Sequence, residues 1–177
     1  MRKLKAKGEI NMLNLIQGEE EIALVNHTTG EINRYILRNL DEVVLVKEAQ
    51  SATEEGEFEL QYLSGCLVGE ACDHFIELCD LARQYGEVLS VVGRLFNACD
   101  GLEETETLLE SQTYTIIQAP SVGLAFRDYL NEMGDLMELP PHILDFIDYE
   151  KWLNSVSTRV IPVGFSDRQE FVVYNLI

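Results

Sequence analysis

The acidic residues of this chain are crowded into one stretch, and that crowding restricts how it can fold. Residues 41–150 hold 24 Asp and Glu against four basic residues, Lys47, Arg83, Arg94 and Arg127, a net of −20. The flanking stretches 1–40 and 151–177 each carry +1, so the formal net charge of −18 arises entirely in the centre. Charges of one sign repel each other and destabilise a compact state. The central stretch must therefore keep its carboxylates in water while it buries its apolar residues, which requires elements whose periodicity separates two faces. A hydrophobic fraction of 46% supplies the buried half, so the acid does not imply disorder.

Charge also limits partners. A pI near 4.4 disfavours direct contact with nucleic acid, whose phosphates would be repelled, and with anionic membranes. No apolar run approaches the ~20 residues that span a bilayer. The start, Met-Arg-Lys-Leu-Lys-Ala-Lys, has the basic character of a signal-peptide leader, but Glu9, Asn11, Asn14 and Gln17 interrupt the residues after it, so no apolar segment completes it. Residues 1–11 are read as a basic tail and the protein as cytoplasmic. Cys66, Cys72, Cys79 and Cys99 form no C-x-x-C pair. Cys72 and Cys79, seven apart on one expected helix, would lie ~10 Å apart, too far for a disulfide, so all four are expected to be reduced, packed thiols.

The chain length suits one domain or two to three small packed units, and the hydrophobic period changes along it. Residues 20–26 and 31–37 read as a hairpin whose turn uses Gly30. Residues 42–47, Glu-Val-Val-Leu-Val-Lys, read as a third strand by β-branched content. Gln50 to Glu57 is polar and reads as a loop, and Phe58 to Leu63 as a further strand. Residues 12–63 are thus an N-terminal β-rich domain. Helical spacing appears next at Ala71, Phe75, Leu78 and Ala82, again at Val88, Val91, Val92, Leu95 and Phe96, and then over Leu102–Ser111, making 64–112 an acidic helical domain. In 113–177, Thr113–Gln118 reads as a strand, Ser121 caps a helix that stops at Gly134, Pro140-Pro141 opens a helix through Ile147, and 159–164 and 170–175 form a hairpin around the loop 165–169. The fold class is α+β: an antiparallel sheet unit, an acidic helical unit and a mixed helix and three-stranded sheet unit.

The acids fall into rows. Asp73, Glu77 and Asp80 recur at i, i+4, i+7, Glu103, Glu106 and Glu110 at i, i+3, i+7, and Asp128, Glu132 and Asp135 at i, i+4, i+7. Neighbours at these spacings share a helix face with Cβ atoms about 5–6 Å apart. Like charges so placed cost a helix a few tenths of a kcal/mol per pair. Solvated faces of an acidic protein account for such rows; so does a surface that presents phosphate-like charge to a basic groove. Asp145 and Asp148 extend the same acidic surface.

Catalytic and metal signatures are absent from the sequence. Glu103, Glu104 and Glu106, or Asp145 with Asp148, have the ligand type for a weak hard-cation site, but there is no calcium loop and no H-E-x-x-H. His27, His74 and His142 are the only histidines. There is no G-x-S-x-G, and Gly65-x-x-x-Gly69 lacks the Lys-Ser/Thr of a phosphate loop. No enzyme activity, metal or cofactor is expected.

The last third carries a resemblance. Phe126-Arg127-Asp128-Tyr129-Leu130-Asn131-Glu132-Met133-Gly134 is succeeded by Leu139-Pro140, then by Leu144-Asp145-Phe146-Ile147-Asp148-Tyr149-Glu150 and Trp152. This resembles the C-terminal domain of the ArdA-type antirestriction proteins. The family pattern there is an Ala-Arg-x-Tyr-Ile/Val-x-Glu-x-Gly helix end, Val/Ile-Pro, and a hydrophobic-x-x-Tyr/Phe-Ile-Asp-Tyr-x-x-aromatic segment. The likeness covers residues 113–175, and the first 60 residues diverge from the family's opening pattern. It implies an elongated, homodimeric DNA mimic of phages and mobile elements that evades host defence by blocking the DNA-binding groove of type I restriction–modification enzymes, with its dimer interface in the C-terminal domain. The near-neutral tail 151–177 is the expected surface for self-association, with apolar strand residues from Val160, Ile161, Val163, Phe171 and Val173, half of which must face the unit's own core. Two alternatives stay open: inhibition of a CRISPR or other nuclease by the same mimicry, and an acidic adaptor that binds a basic protein without imitating DNA.

Overall fold

A computed structural model describes residues 19–43, 58–163 and 169–175. The protein is α+β, with two three-stranded antiparallel sheets and a set of short helices. The chain divides into two compact units between Phe96 and Asn97.

In the first unit β1 (Glu20–Asn26) is the central strand, flanked by β2 (Ile32–Leu37) and β3 (Phe58–Ser64). β1 and β2 run antiparallel from Glu20 opposite Leu37 to Val25 opposite Ile32. The turn between them is built by Asn26, whose Oδ1 accepts from the backbone N–H groups of Thr28 and Thr29 at 2.9 and 3.1 Å. Gly30 then takes φ +74°, which a residue without a Cβ adopts at no cost. Central placement explains why β1 is buried along most of its length while β2, at the edge, is exposed except at Leu37.

The strand expected over 42–47 is corrected in its first part. Leu40–Val43 is helical, and 44–47 lie outside the described residues. Asn39 and Glu42 cap that turn reciprocally: Glu42 N–H donates to Asn39 Oδ1 at 3.1 Å, and the Glu42 carboxylate accepts from Arg38 N–H at 2.8 Å. This resembles a capping box, with the Arg38 N–H in place of the N-cap's own, and it outweighs the β propensity of Val43. A 3₁₀ turn, Gly69–Cys72, leads to α1 (Phe75–Tyr85), which ends at left-handed Gly86, and α2 (Leu89–Ala98) comes next. Cys72 thus closes the 3₁₀ turn and does not share a helix with Cys79. Ile22, Phe75, Leu78, Ala82, Leu89 and Val92 are among the buried side chains, and the Tyr62 and Phe75 rings pack at 5.2 Å.

In the second unit α3 (Leu102–Ser111) leads to β4 (Tyr114–Gln118). Next comes α4 (Val122–Met133), with α5 (Pro141–Leu144) and α6 (Tyr149–Leu153), and the chain closes with β5 (Thr158–Pro162) and β6 (Glu170–Asn175). The sheet order is β4-β6-β5, so Pro162 sits on an edge strand, where its missing N–H costs no ladder bond. Ser121 Oγ accepts from Leu124 N–H at 3.3 Å and opens α4. Gly134, at φ +88°, stops it, and Asp135 N–H donates back to Leu130 C=O at 3.0 Å, the Schellman arrangement. The helix expected from Pro140 to Ile147 is shorter and stops at Leu144, and α6, beyond the expected span, is a separate helix. Asp148 accepts from Lys151 N–H at 3.0 Å and starts α6 afresh. The loop 165–169 falls outside the described residues except for Gln169.

Phe126, Tyr129, Val160, Phe171 and Val173 belong to one buried cluster, with Trp152 packed edge-on against Phe126. Val163 is buried as well, and Ile161 is half-buried. Four of the five apolar tail residues expected to offer a self-association surface therefore serve the unit's own core. Among the described residues no helix is long and apolar enough to cross a membrane.

Candidate functional site

The acidic residues singled out by spacing are at the surface, but only one row survives as a row. Glu103, Glu106 and Glu110 all lie on α3. Their helix turns Thr105, Leu108 and Leu109 inward, so an exposed face is left for carboxylates at i, i+3, i+7. Glu103 and Glu110 are exposed and Glu106 is half-buried. The other two rows are shortened. Glu77 and Asp80 are on α1, while Asp73 precedes it at the end of the 3₁₀ turn. Asp128 and Glu132 are on α4, while Asp135 stands beyond its glycine stop. Asp145 and Asp148 flank the break between α5 and α6 and are exposed.

Neutralisation is sparse. Asp128 pairs with Arg127 at 2.8 Å, and the Asp148 side chain is committed to its helix cap. Asp80 and Glu106 have contacts of their own. Asp73, Glu77, Glu103, Glu110, Glu132, Asp135 and Asp145 form no ion pair with any described residue. In the first unit, by contrast, Arg34, Arg38 and Arg83 each face a carboxylate, at 3.4, 3.3 and 3.6 Å. Glu103 and Glu104 occupy the first turn of α3, where the helix dipole favours negative charge. Glu110 sits in its last turn, where the dipole opposes it by about 0.3–1 kcal/mol. Stability alone would not choose a glutamate there.

Beside the α3 row lies a cleft of about 370 Å³, lined by Asp100, Glu103, Glu104, Thr107 and Tyr174 among others. Glu104 is held in place: its carboxylate accepts from Asp100 N–H at 2.8 Å and from the Tyr174 hydroxyl at 3.3 Å. That hydroxyl also reaches Ala98 C=O at 3.3 Å. Burial, then neighbouring Cys99 and Glu104, push the Tyr174 phenol up to about 12. Among the described residues no three His, Cys, Asp or Glu side chains converge to hold a metal ion. The acidic lining suits the cleft by sign to a cationic group.

A second acidic feature is buried, and spacing alone did not single it out. Glu20 is 1% exposed. Its carboxylate accepts from the Tyr62 hydroxyl and from Cys66 N–H at 3.0 Å, and the Tyr62 hydroxyl in turn accepts from Leu67 N–H at 3.0 Å. Burial and the Glu20 hydrogen bond raise both the Tyr62 phenol and the Cys66 thiol well above their ordinary ranges. The signal was parity: Glu20 shares the strand face of Ile22, Leu24 and Asn26, all buried, so it had to point inward.

All four cysteines are free, and the environments of Cys66, Cys72 and Cys99 suppress thiolate. Burial and then the Glu104 charge push Cys99 up to about 12, and burial with Asp73 raises Cys72. At pH 8 a shift from the ordinary range to about 12 reduces thiolate about 10³-fold, and reactivity follows thiolate. Dithionitrobenzoate titration of the folded protein at pH 8 is therefore expected to label Cys99 far more slowly than after unfolding in guanidinium. Equal rates in the two states would contradict the geometry.

No protein-family model, no curated protein and no solved structure matches this chain.

Proposed function

We propose that the protein is a non-enzymatic DNA mimic that occupies the DNA-binding groove of a bacterial defence enzyme, a type I restriction–modification enzyme first among them. It would act in the cytoplasm, without a cofactor and as a homodimer. The observation that carries this reading is the α3 row with its unpaired neighbours. Glu103 and Glu110 lie on one exposed helix face without compensating cations among the described residues, and Glu110 is kept where the helix dipole opposes it. Carboxylates at this spacing can replace phosphates at the lysines and arginines of a groove, releasing the ions held there. The sequence pattern of residues 126–152 supports a restriction enzyme as target, and an acidic cleft beside the row offers a seat for one of the groove's basic side chains.

Many exposed contacts would share the binding, each worth about 0.2–1 kcal/mol. Glu110→Gln or Glu132→Gln alone is expected to change inhibition of a type I enzyme by less than about fivefold. Glu103→Gln, Glu106→Gln and Glu110→Gln together are expected to weaken it by about tenfold or more. Inhibition of cleavage by the purified enzyme measures this, with duplex DNA as competitor for the same site. A partner that holds this protein and duplex DNA at once would exclude mimicry, and a single amide change that abolished inhibition would indicate one critical carboxylate instead of a distributed surface.

A further inference from the structure

We propose that the segment Met133–Asp148 is a docking surface for a basic amphipathic segment of a partner protein. Phe146 is 87% and Met137 80% exposed, with Met133 and Ile143 at 52% and 41%. These side chains are not on a loose loop. Leu136 is buried, and Leu139, Leu144 and Ile147 pack against the core cluster of their unit. Successive turns fix the backbone: Met137 N–H donates to Gly134 C=O at 3.1 Å, Ile143 N–H to Pro140 C=O at 2.9 Å and Phe146 N–H to Ile143 C=O at 3.0 Å. The Tyr149 hydroxyl donates to Leu144 C=O at 3.2 Å. The chain alternates anchors with outward apolar residues, so the outward set is presented by a scaffold. Large apolar side chains displayed in this way are unfavourable in water and mark interaction surfaces. Methionine adapts its shape to varied apolar partners.

Charge selects the occupant. Glu132, Asp135, Glu138, Asp145 and Asp148 intersperse the apolar set and lie at the surface, and no Lys or Arg occurs between Arg127 and Lys151. A second copy would bring like charge against like charge, and an anionic bilayer would be repelled. A segment with Leu or Phe on one side and Lys or Arg on the other satisfies both components at once, in the manner of an amphipathic helix laid on an apolar surface. This surface shares Glu132, Asp135, Asp145 and Asp148 with the DNA-mimic reading but not its apolar set: a groove that recognises phosphate charge has no use for Phe146 or Met137, so loss of the Leu-dependent binding and loss of DNA competition are separate failures.

The test uses fluorescence anisotropy of two labelled peptides on the full-length protein at ~150 mM salt. One is a Leu/Lys amphipathic helix of about 14 residues, and the other has Ser for every Leu and the same charge. The Leu/Lys peptide is expected to bind at least about tenfold more tightly. Met137→Ser with Phe146→Ser should remove that advantage, leaving the Ser/Lys peptide and the unfolding midpoint unchanged because both residues are exposed. Asp135→Asn with Glu138→Gln and Asp145→Asn should weaken both peptides. Equal affinity for the two peptides, or no loss in the Met137/Phe146 variant, would overturn the proposal. So would sedimentation showing a dimer that this variant dissolves, which would make a second copy the occupant.

Discussion

Raising salt from about 50 to 200 mM is expected to weaken a complex with a basic DNA-binding groove by tens-fold up to a few hundredfold. Neutralising phosphates with basic side chains releases the ions condensed on the polyanion, and the logarithm of affinity falls with slope about −0.9 per contact for duplex DNA. Three to five carboxylate contacts at that slope lose roughly 40- to 500-fold over a fourfold salt increase. The slope for this protein should be shallower than for DNA on the same enzyme. A duplex carries a charge every ~1.7 Å of axis, whereas neighbouring carboxylates on a helix face stand about 5–6 Å apart at Cβ, so fewer ions are condensed on this protein than on DNA. Binding isotherms at four salt concentrations, for the protein and for duplex DNA in parallel, measure both slopes. A salt-independent affinity would remove the carboxylates from the recognition mechanism.

Disrupting the buried Glu20 node is expected to cost more stability than any surface change. Glu20→Ala leaves the Tyr62 hydroxyl and Cys66 N–H without their shared acceptor. An orphaned buried group costs about 1–3 kcal/mol, so the pair should cost about 2–6 kcal/mol. Gly65→Ala strikes the same node from the other side. Gly65 has φ +149°, and a Cβ there would land on the Glu20 carboxylate and the Tyr62 hydroxyl. Either change removes a large share of a typical total stability of about 5–15 kcal/mol. Tyr62→Phe keeps the ring against Phe75 and withdraws one donor to Glu20 and one acceptor for Leu67 N–H, so its cost should be smaller. Urea unfolding followed by circular dichroism gives these differences as midpoint shifts. A Gly65→Ala protein within about 1 kcal/mol of the parent would show that the node is not tightly packed.

Elements with strong local punctuation are legible in the sequence. The limits of α3 and β6, the Ser121 cap and the Gly134 stop are each written in two or three adjacent residues. Elements that escape a reading of the apolar pattern have signals of equal strength that point against it. Val43 belongs to a helical turn because Asn39 and Glu42 cap it reciprocally, and β-branched content misleads there. The helix opened at Pro140 stops at Leu144, and Asp148 starts a separate one by capping Lys151. An acid row holds where a helix continues through all three members, as on α3, and is too long where a 3₁₀ turn or a glycine intervenes, at Asp73 and Asp135. Parity places Glu20 on the buried face of β1, but its partners require tertiary information, since the pairing of β1 with β3 brings Tyr62 to it and the chain beyond β3 brings Cys66.

The two faces of α3 have different masters. Its inward residues, Thr105, Leu108 and Leu109, answer to the core, while Glu103 and Glu110 are tied to the fold mainly through the helix dipole, a matter of about 0.3–1 kcal/mol each. Selection can therefore add or delete carboxylates there one at a time without disturbing the fold. Potency against a basic target would drift in small steps, and a change in the spacing of a target's cations could be tracked by mutation faster than a shape-based interface could be rebuilt.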